Sequence, residues 1–73
     1  MKVSIVVWKE DDMFIAKEVI TGVVSQGKSV EEAIDNLKEA LELYLEEFPD
    51  EINMSDVVFQ GVINVKTPKL VRI

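Results

Sequence analysis

The sequence predicts an α+β fold of two layers, β-β-β-α-β, with one helix packed on one face of an antiparallel sheet. Three observations lead there. Short stretches rich in Val and Ile with alternating polarity fill the first third of the chain, a pattern that favours strands. One long stretch at helical spacing occupies the middle. Another apolar run, broken by Gly61 and closed by Pro68, follows it.

Taken in order, residues 2–8 form the first strand, with Val3, Ile5 and Val7 on one face and Val6 and Trp8 on the other. Residues 9–12, Lys-Glu-Asp-Asp, suit a hairpin turn. Residues 13–20 form the second strand, with Phe14 and Ala16 on one side and Met13, Ile15 and Val19 on the other. Thr21 and Gly22 break it, residues 23–25 make a short third strand, and residues 26–28 turn again. This is a three-stranded antiparallel meander. Ser29 and Glu32 then make a capping box, in which the hydroxyl accepts from the Glu32 amide and the carboxylate reaches back. Val30, Ala33, Ile34, Leu37, Leu41, Tyr44, Leu45 and Phe48 form one apolar stripe. Pro49 stops the ladder, so the helix spans residues 29–47. Residues 50–56 read as a loop, with Ile52 and Met54 as candidates to tuck under. Residues 57–66 read as a strand with a bulge or bend at Gly61, and residues 70–73 as an edge strand or tail.

Seventy-three residues make one domain, residues 1–73, and a chain this short buries only about 60% of its unfolded surface. Such a core needs added support. The sequence has no Cys and no His, which excludes disulfides and removes the best zinc ligands, so self-association is the expected support. A hydrophobic content of 48% with 30% charged residues reads as a folded, soluble chain. The N-terminus does not read as a signal peptide and no run matches a membrane span, so the expected location is the cytoplasm. The net charge of −6 argues against a broad nucleic-acid-binding surface.

The stretch from Gly22 through Val23, Val24, Ser25, Gln26, Gly27 and Lys28 to Ser29, Val30, Glu31, Glu32, Ala33 and onward to Leu45 resembles the HicB antitoxin pattern. In that pattern a Pro-Gly-Cys-Val-Thr-Gln-Gly-like turn precedes a capped helix reading roughly Thr/Ser-x-Glu-Glu-Ala-x-x-Asn-x-x-Glu-Ala-Leu. The hairpin, with Asp11 and Asp12 followed by Phe14 and Ala16, also fits. The resemblance covers about residues 1–47. Thr21 stands where the family has Pro, and Val23 where it has Cys. The resemblance implies a partial RNase H-like β-β-β-α-β fold. It also implies the neutralising of a small basic HicA-type toxin that cleaves mRNA. Residues 67–73 are too few for the ribbon-helix-helix or helix-turn-helix domain of longer members, so a short form without direct DNA binding is expected.

The residues present do not assemble a catalytic centre. A nuclease of RNase H type gathers several carboxylates on its strands around metal ions. Here the first strand has no acid and the second only Glu18. Without Cys or His, thiol nucleophiles and imidazole bases are missing, and Ser29 is accounted for as a cap. No enzyme activity, cofactor or metal is expected.

Charge and exposed apolar residues nominate binding surfaces instead. Residues 29–47 hold seven acids, Glu31, Glu32, Asp35, Glu39, Glu42, Glu46 and Glu47, against one base, Lys38. The helix therefore carries the whole net charge. Asp35 with Glu39 and Glu42 with Glu46 are like-charge pairs at i,i+4, each costing about 0.2–0.5 kcal/mol. Either Glu39, Glu42 and Glu46 attract a basic partner, or this is a solvated helix face. Glu10, Asp11 and Asp12 are a contact loop, a weak cation site or a plain polar turn. Lys66, Lys69 and Arg72 offer phosphate contact or edge-strand protection. One helix covers one sheet face, so Val6, Trp8, Met13 and Ile15 are expected on an uncovered face, as a self-association surface. Trp8 is a binding hot spot there or a core residue. Two functions remain: an antitoxin-like module for a small basic ribonuclease, and an orphan homo-oligomer of structural or small-ligand-binding role.

Overall fold

A computed structural model describes residues 1–49 and 61–67 of the chain. Strands β1 (Ile5–Glu10), β2 (Met13–Glu18) and β3 (Val24–Gly27) precede helix α1 (Val30–Glu47). The strands form one antiparallel sheet in the order β1-β2-β3, and α1 lies on one face of it. The α+β, β-β-β-α architecture is the expected one. The strand expected at residues 57–66 differs: its described part, within residues 61–67, has no regular secondary structure. The loop expected at 50–56 and the tail at 70–73 lie outside the described residues.

The hairpin is tighter than its sequence suggests. Lys9 and Glu10 pair with Phe14 and Met13, which leaves a two-residue turn of Asp11 and Asp12. Asp11 takes φ 54°, a left-handed conformation that Asp tolerates better than most side chains. β2 stops at Glu18, two residues early, because its own carboxylate takes the amides of Ile20 and Thr21. β3 runs later than expected, to Gly27, which pairs with Phe14.

The helix begins with Ser29 as its cap, and the return bond from Glu32 goes to the amide one residue before the cap. Ser29 Oγ accepts from the Glu32 amide at 3.0 Å, and Glu32 Oε1 accepts from the Lys28 amide at 2.8 Å. Asn36 Nδ2 donates to the Gln26 carbonyl at 2.8 Å, tying α1 to β3. At the far end the Phe48 amide still donates to the Tyr44 carbonyl at 3.0 Å, and Pro49 follows.

Ala16, Ala33, Leu37 and Leu41 are the buried apolar residues among those described, with Val3, Val7, Phe14 and Val23 packed around them. Two of these four are alanines, so the layers sit close. Gly27 permits this: a Cβ there would stand 2.6 Å from the Ala33 nitrogen and 2.8 Å from the Glu32 carbonyl carbon. The helix accordingly packs over β3 and β2 and touches β1 only lightly. An 18-residue helix extends about 27 Å at 1.5 Å per residue, longer than the strands beneath it. Val30 and Phe48, the ends of the expected apolar stripe, are therefore exposed.

Gly27→Ala should lower stability by about 1–3 kcal/mol, the range for overpacking against atoms that cannot move aside. Gly22→Ala should cost about 1 kcal/mol, since φ 77° is its one obstacle and nothing lies within 4 Å of the added carbon. Urea midpoints of the two variants test this order.

Candidate functional site

Sheet alternation decides which side chains face away from the helix. Trp8 pairs with Ile15, which pairs with Gln26; Val6 pairs with Lys17, which pairs with Val24. All six project from the face opposite α1. Val6 is 49% exposed, Trp8 39% and Val24 51%. Among the described residues no element packs on this face, and Trp8 belongs to it rather than to the buried cluster. Met13 and Ile15 are half-buried; Ile15 lies between Trp8 and Gln26 on the central strand, and Met13 pairs with Glu10. Val24 belongs to the same patch and was absent from the expected set, since the third strand was too short to assign it a face.

On the other layer, all seven helix acids are exposed. Leu43, 60% exposed, sits among them: Glu39 is four residues before it, Glu46 three after and Glu47 four after, all on one helix face. The isolated apolar residue flanked by acids at these spacings is the signal that sequence reading passed over. Behind it, Tyr44 and Phe48 stack with ring centroids 4.9 Å apart.

The two acidic groups nominated by the sequence do not come together. Gly27 pairs with Phe14 beside the Asp11–Asp12 turn and abuts Glu32 and Ala33, so that turn lies at the helix N-terminal end. Leu41, Glu42 and Leu45 line a groove with Met1 and Val3, at the opposite end of the sheet. Glu39, Glu42 and Glu46 therefore work separately from Glu10, Asp11 and Asp12. Glu10 itself belongs to β1, where it pairs with Met13. Among the described residues, no group of three or more acids is placed to hold a metal ion.

Glu18 is the unexpected member. It is fully buried, and its Oε1 accepts from the Ile20 amide at 3.1 Å, the Thr21 amide at 2.6 Å and the Thr21 hydroxyl at 2.8 Å. The Thr21 hydroxyl in turn accepts from the Val23 amide at 3.1 Å, and the Gly22 amide donates to the Glu18 carbonyl at 3.0 Å. The carboxylate organises the β2–β3 corner. Burial pushes its pKa up, but the hydrogen bonds from Thr21 and Ile20 outweigh that and hold it below the ordinary 4.5. Oε2 has no hydrogen-bond partner among the described residues. An acid three residues before Thr-Gly is the sequence cue for this arrangement.

Comparison with known proteins places the fold in a family. Residues 2–67 match the model described as "Family of unknown function (DUF7387)". The chain belongs to the DUF7387 family. This DUF7387 chain is also similar to curated proteins named UPF0150 protein. The one from Thermotoga maritima is 50% identical over 48 residues, 66% of this chain and 64% of the relative. The one from Helicobacter pylori strain J99 is 48% identical over 46 residues, 62% and 64% respectively. The one from Archaeoglobus fulgidus is 39% identical over 71 residues, 92% of this chain and 99% of the relative. The match thus spans 64% of the length of the first two relatives. No solved structure matches. Among the described residues no helix is long and apolar enough to cross a membrane.

A group whose folded pKa is depressed stabilises the fold above its unfolded pKa, and loses that contribution as pH falls through the folded value. Glu18 should therefore support the fold above about pH 4.5 and release it progressively below. Chemical denaturation from pH 7 to pH 3 should show Glu18→Gln less stable at neutral pH, with a flatter acid limb than the parent.

Proposed function

We propose that this DUF7387 chain is a non-enzymatic, antitoxin-like binding protein of the HicB kind, and that its partner is a small basic mRNA-cleaving toxin of the HicA type. The observation that carries this reading is the outward face of α1. Glu39, Glu42, Glu46 and Glu47 surround the exposed Leu43, with one lysine in the whole helix. An apolar contact point inside a ring of like charge suits a cationic protein surface: the charges steer the encounter and the apolar residue excludes water on contact. Negative charge at the helix C-terminal end, where the dipole disfavours it, costs stability that a binding role would offset. The residue pattern from Gly22 to Leu45 supports the same assignment. Direct DNA binding forms no part of it, and the cytoplasm is its expected setting.

A second reading rests on the other face. Val6, Trp8 and Val24 are exposed together on one sheet surface, and such a patch suits a homo-oligomer of structural or small-ligand-binding role. The discriminating experiment asks whether the adjacent reading frame encodes a short basic protein and, where it does, co-expresses the two. Relief of growth arrest and co-purification support the antitoxin reading. Persistent toxicity without co-purification leaves the homo-oligomer.

Reversal of Glu39, Glu42 and Glu46 to Lys should slow association with that basic protein by about tenfold at low salt and flatten the salt dependence. Stopped-flow association rates measure it, and an unchanged rate removes the acidic face from the interface.

A further inference from the structure

Hydrogen-bond parity along β1 shows which of its backbone groups the described strands leave unused. The Val19 amide donates to the Ser4 carbonyl at 2.9 Å, which sets Ser4 and Val19 as a hydrogen-bonded pair. With the register Ile5–Glu18, Val7–Ala16 and Lys9–Phe14, alternation then makes Val6, Trp8 and Glu10 the residues that bond to β2. Ile5, Val7 and Lys9 aim their backbone N–H and C=O groups away from the sheet. β1 is an edge strand among the described residues, and α1 scarcely covers it. Ile5, although it faces the helix side, is still 36% exposed. Natural edges of this kind are usually blunted or paired.

The same chain holds a segment with the opposite need. Residues 61–67, Gly-Val-Ile-Asn-Val-Lys-Thr, alternate in part between apolar and polar and are bounded by Gly61 and Pro68. They join no strand, yet Val62 is 95% exposed, Ile63 73% and Val65 77%. Gly61 and Val62 border a hollow with Ser4, Ile5, Val6 and Val19, so the segment starts beside β1 without adding to it.

We propose that residues 62–67 of one chain add as a fourth strand to the β1 edge of a second copy, in a reciprocal two-fold exchange. The inference stands apart from the toxin reading. An edge that no described strand occupies and a β-forming segment outside the described sheet are self-complementary, and a two-fold operation satisfies both at once. On addition, Ile63 and Val65 share one face of the extended sheet and Val62 the other. The small core of Ala16, Ala33, Leu37 and Leu41 gains the apolar burial that a chain of this length lacks by itself.

The chain alone, with no toxin present, tests this. Sedimentation should give a dimer. In a one-to-one mixture of isotope-labelled and unlabelled protein, filtered NMR spectra should show contacts from Ile63 and Val65 of one copy to Ile5 and Val7 of the other. Proline lacks the amide that a ladder needs, yet an edge position facing solvent accepts it. Of Ile63→Pro and Asn64→Pro, one should therefore weaken the dimer about tenfold or more while its neighbour changes little. A monomer at submillimolar concentration, contacts confined within one chain, or equal effects of the two prolines would overturn the exchange.

Discussion

The helix can lie on β3 only because position 27 carries no side chain. A single carbon there would press on the backbone of Glu32 and Ala33, and the layers could not close over Ala16 and Ala33. The close approach draws α1 toward the β2–β3 side of the sheet, with Asn36 fastened to the Gln26 carbonyl. What the helix gains over β3 it gives up over β1. The light contact of α1 with β1, the partly exposed Ile5 and the overhanging helix end all follow from where that joint sits.

The molecule consequently presents two unlike surfaces on opposite layers. The sheet side carries Val6, Trp8 and Val24 beside Ile15, with Lys17 and Gln26 among them. The helix side is acidic, with Leu43 in its middle. Surfaces so different suit different partners, and their separation by the thickness of the sheet–helix sandwich lets both be engaged together. Of Glu10, Asp11 and Asp12, Glu10 shares the sheet face of Val6 and Trp8 at its end, while Asp11 and Asp12 form the hairpin tip, where the chain reverses with a left-handed Asp11.

Much of this was legible in the residues. Ser29 with Glu32, followed by Ala33, Leu37 and Leu41, announces the helix through local capping and spacing alone. Alternation separates Val6 and Trp8 from Val3 and Val7 before any contact is known. The misjudged features are those that tertiary contact decides. Gly27 looks like a turn residue until a helix backbone is laid against it. Glu18 looks like an ordinary strand charge, because its burial depends on the amides of Ile20 and Thr21 swinging round to meet it. Phe48 fits the apolar stripe by spacing, but the strands end before reaching it. Residues 61–67 carry strand propensity, which cannot make a strand without a neighbouring edge to pair with.

The confinement of charge to one layer has an electrical consequence. Seven acids and one base lie in residues 29–47, while the rest of the chain balances seven against seven. The protein is therefore a dipole, its negative pole on the helix layer. A cationic body approaching through solution is turned to face that pole before any atoms meet. Between two like molecules the same charge opposes any contact that brings the helix layers together.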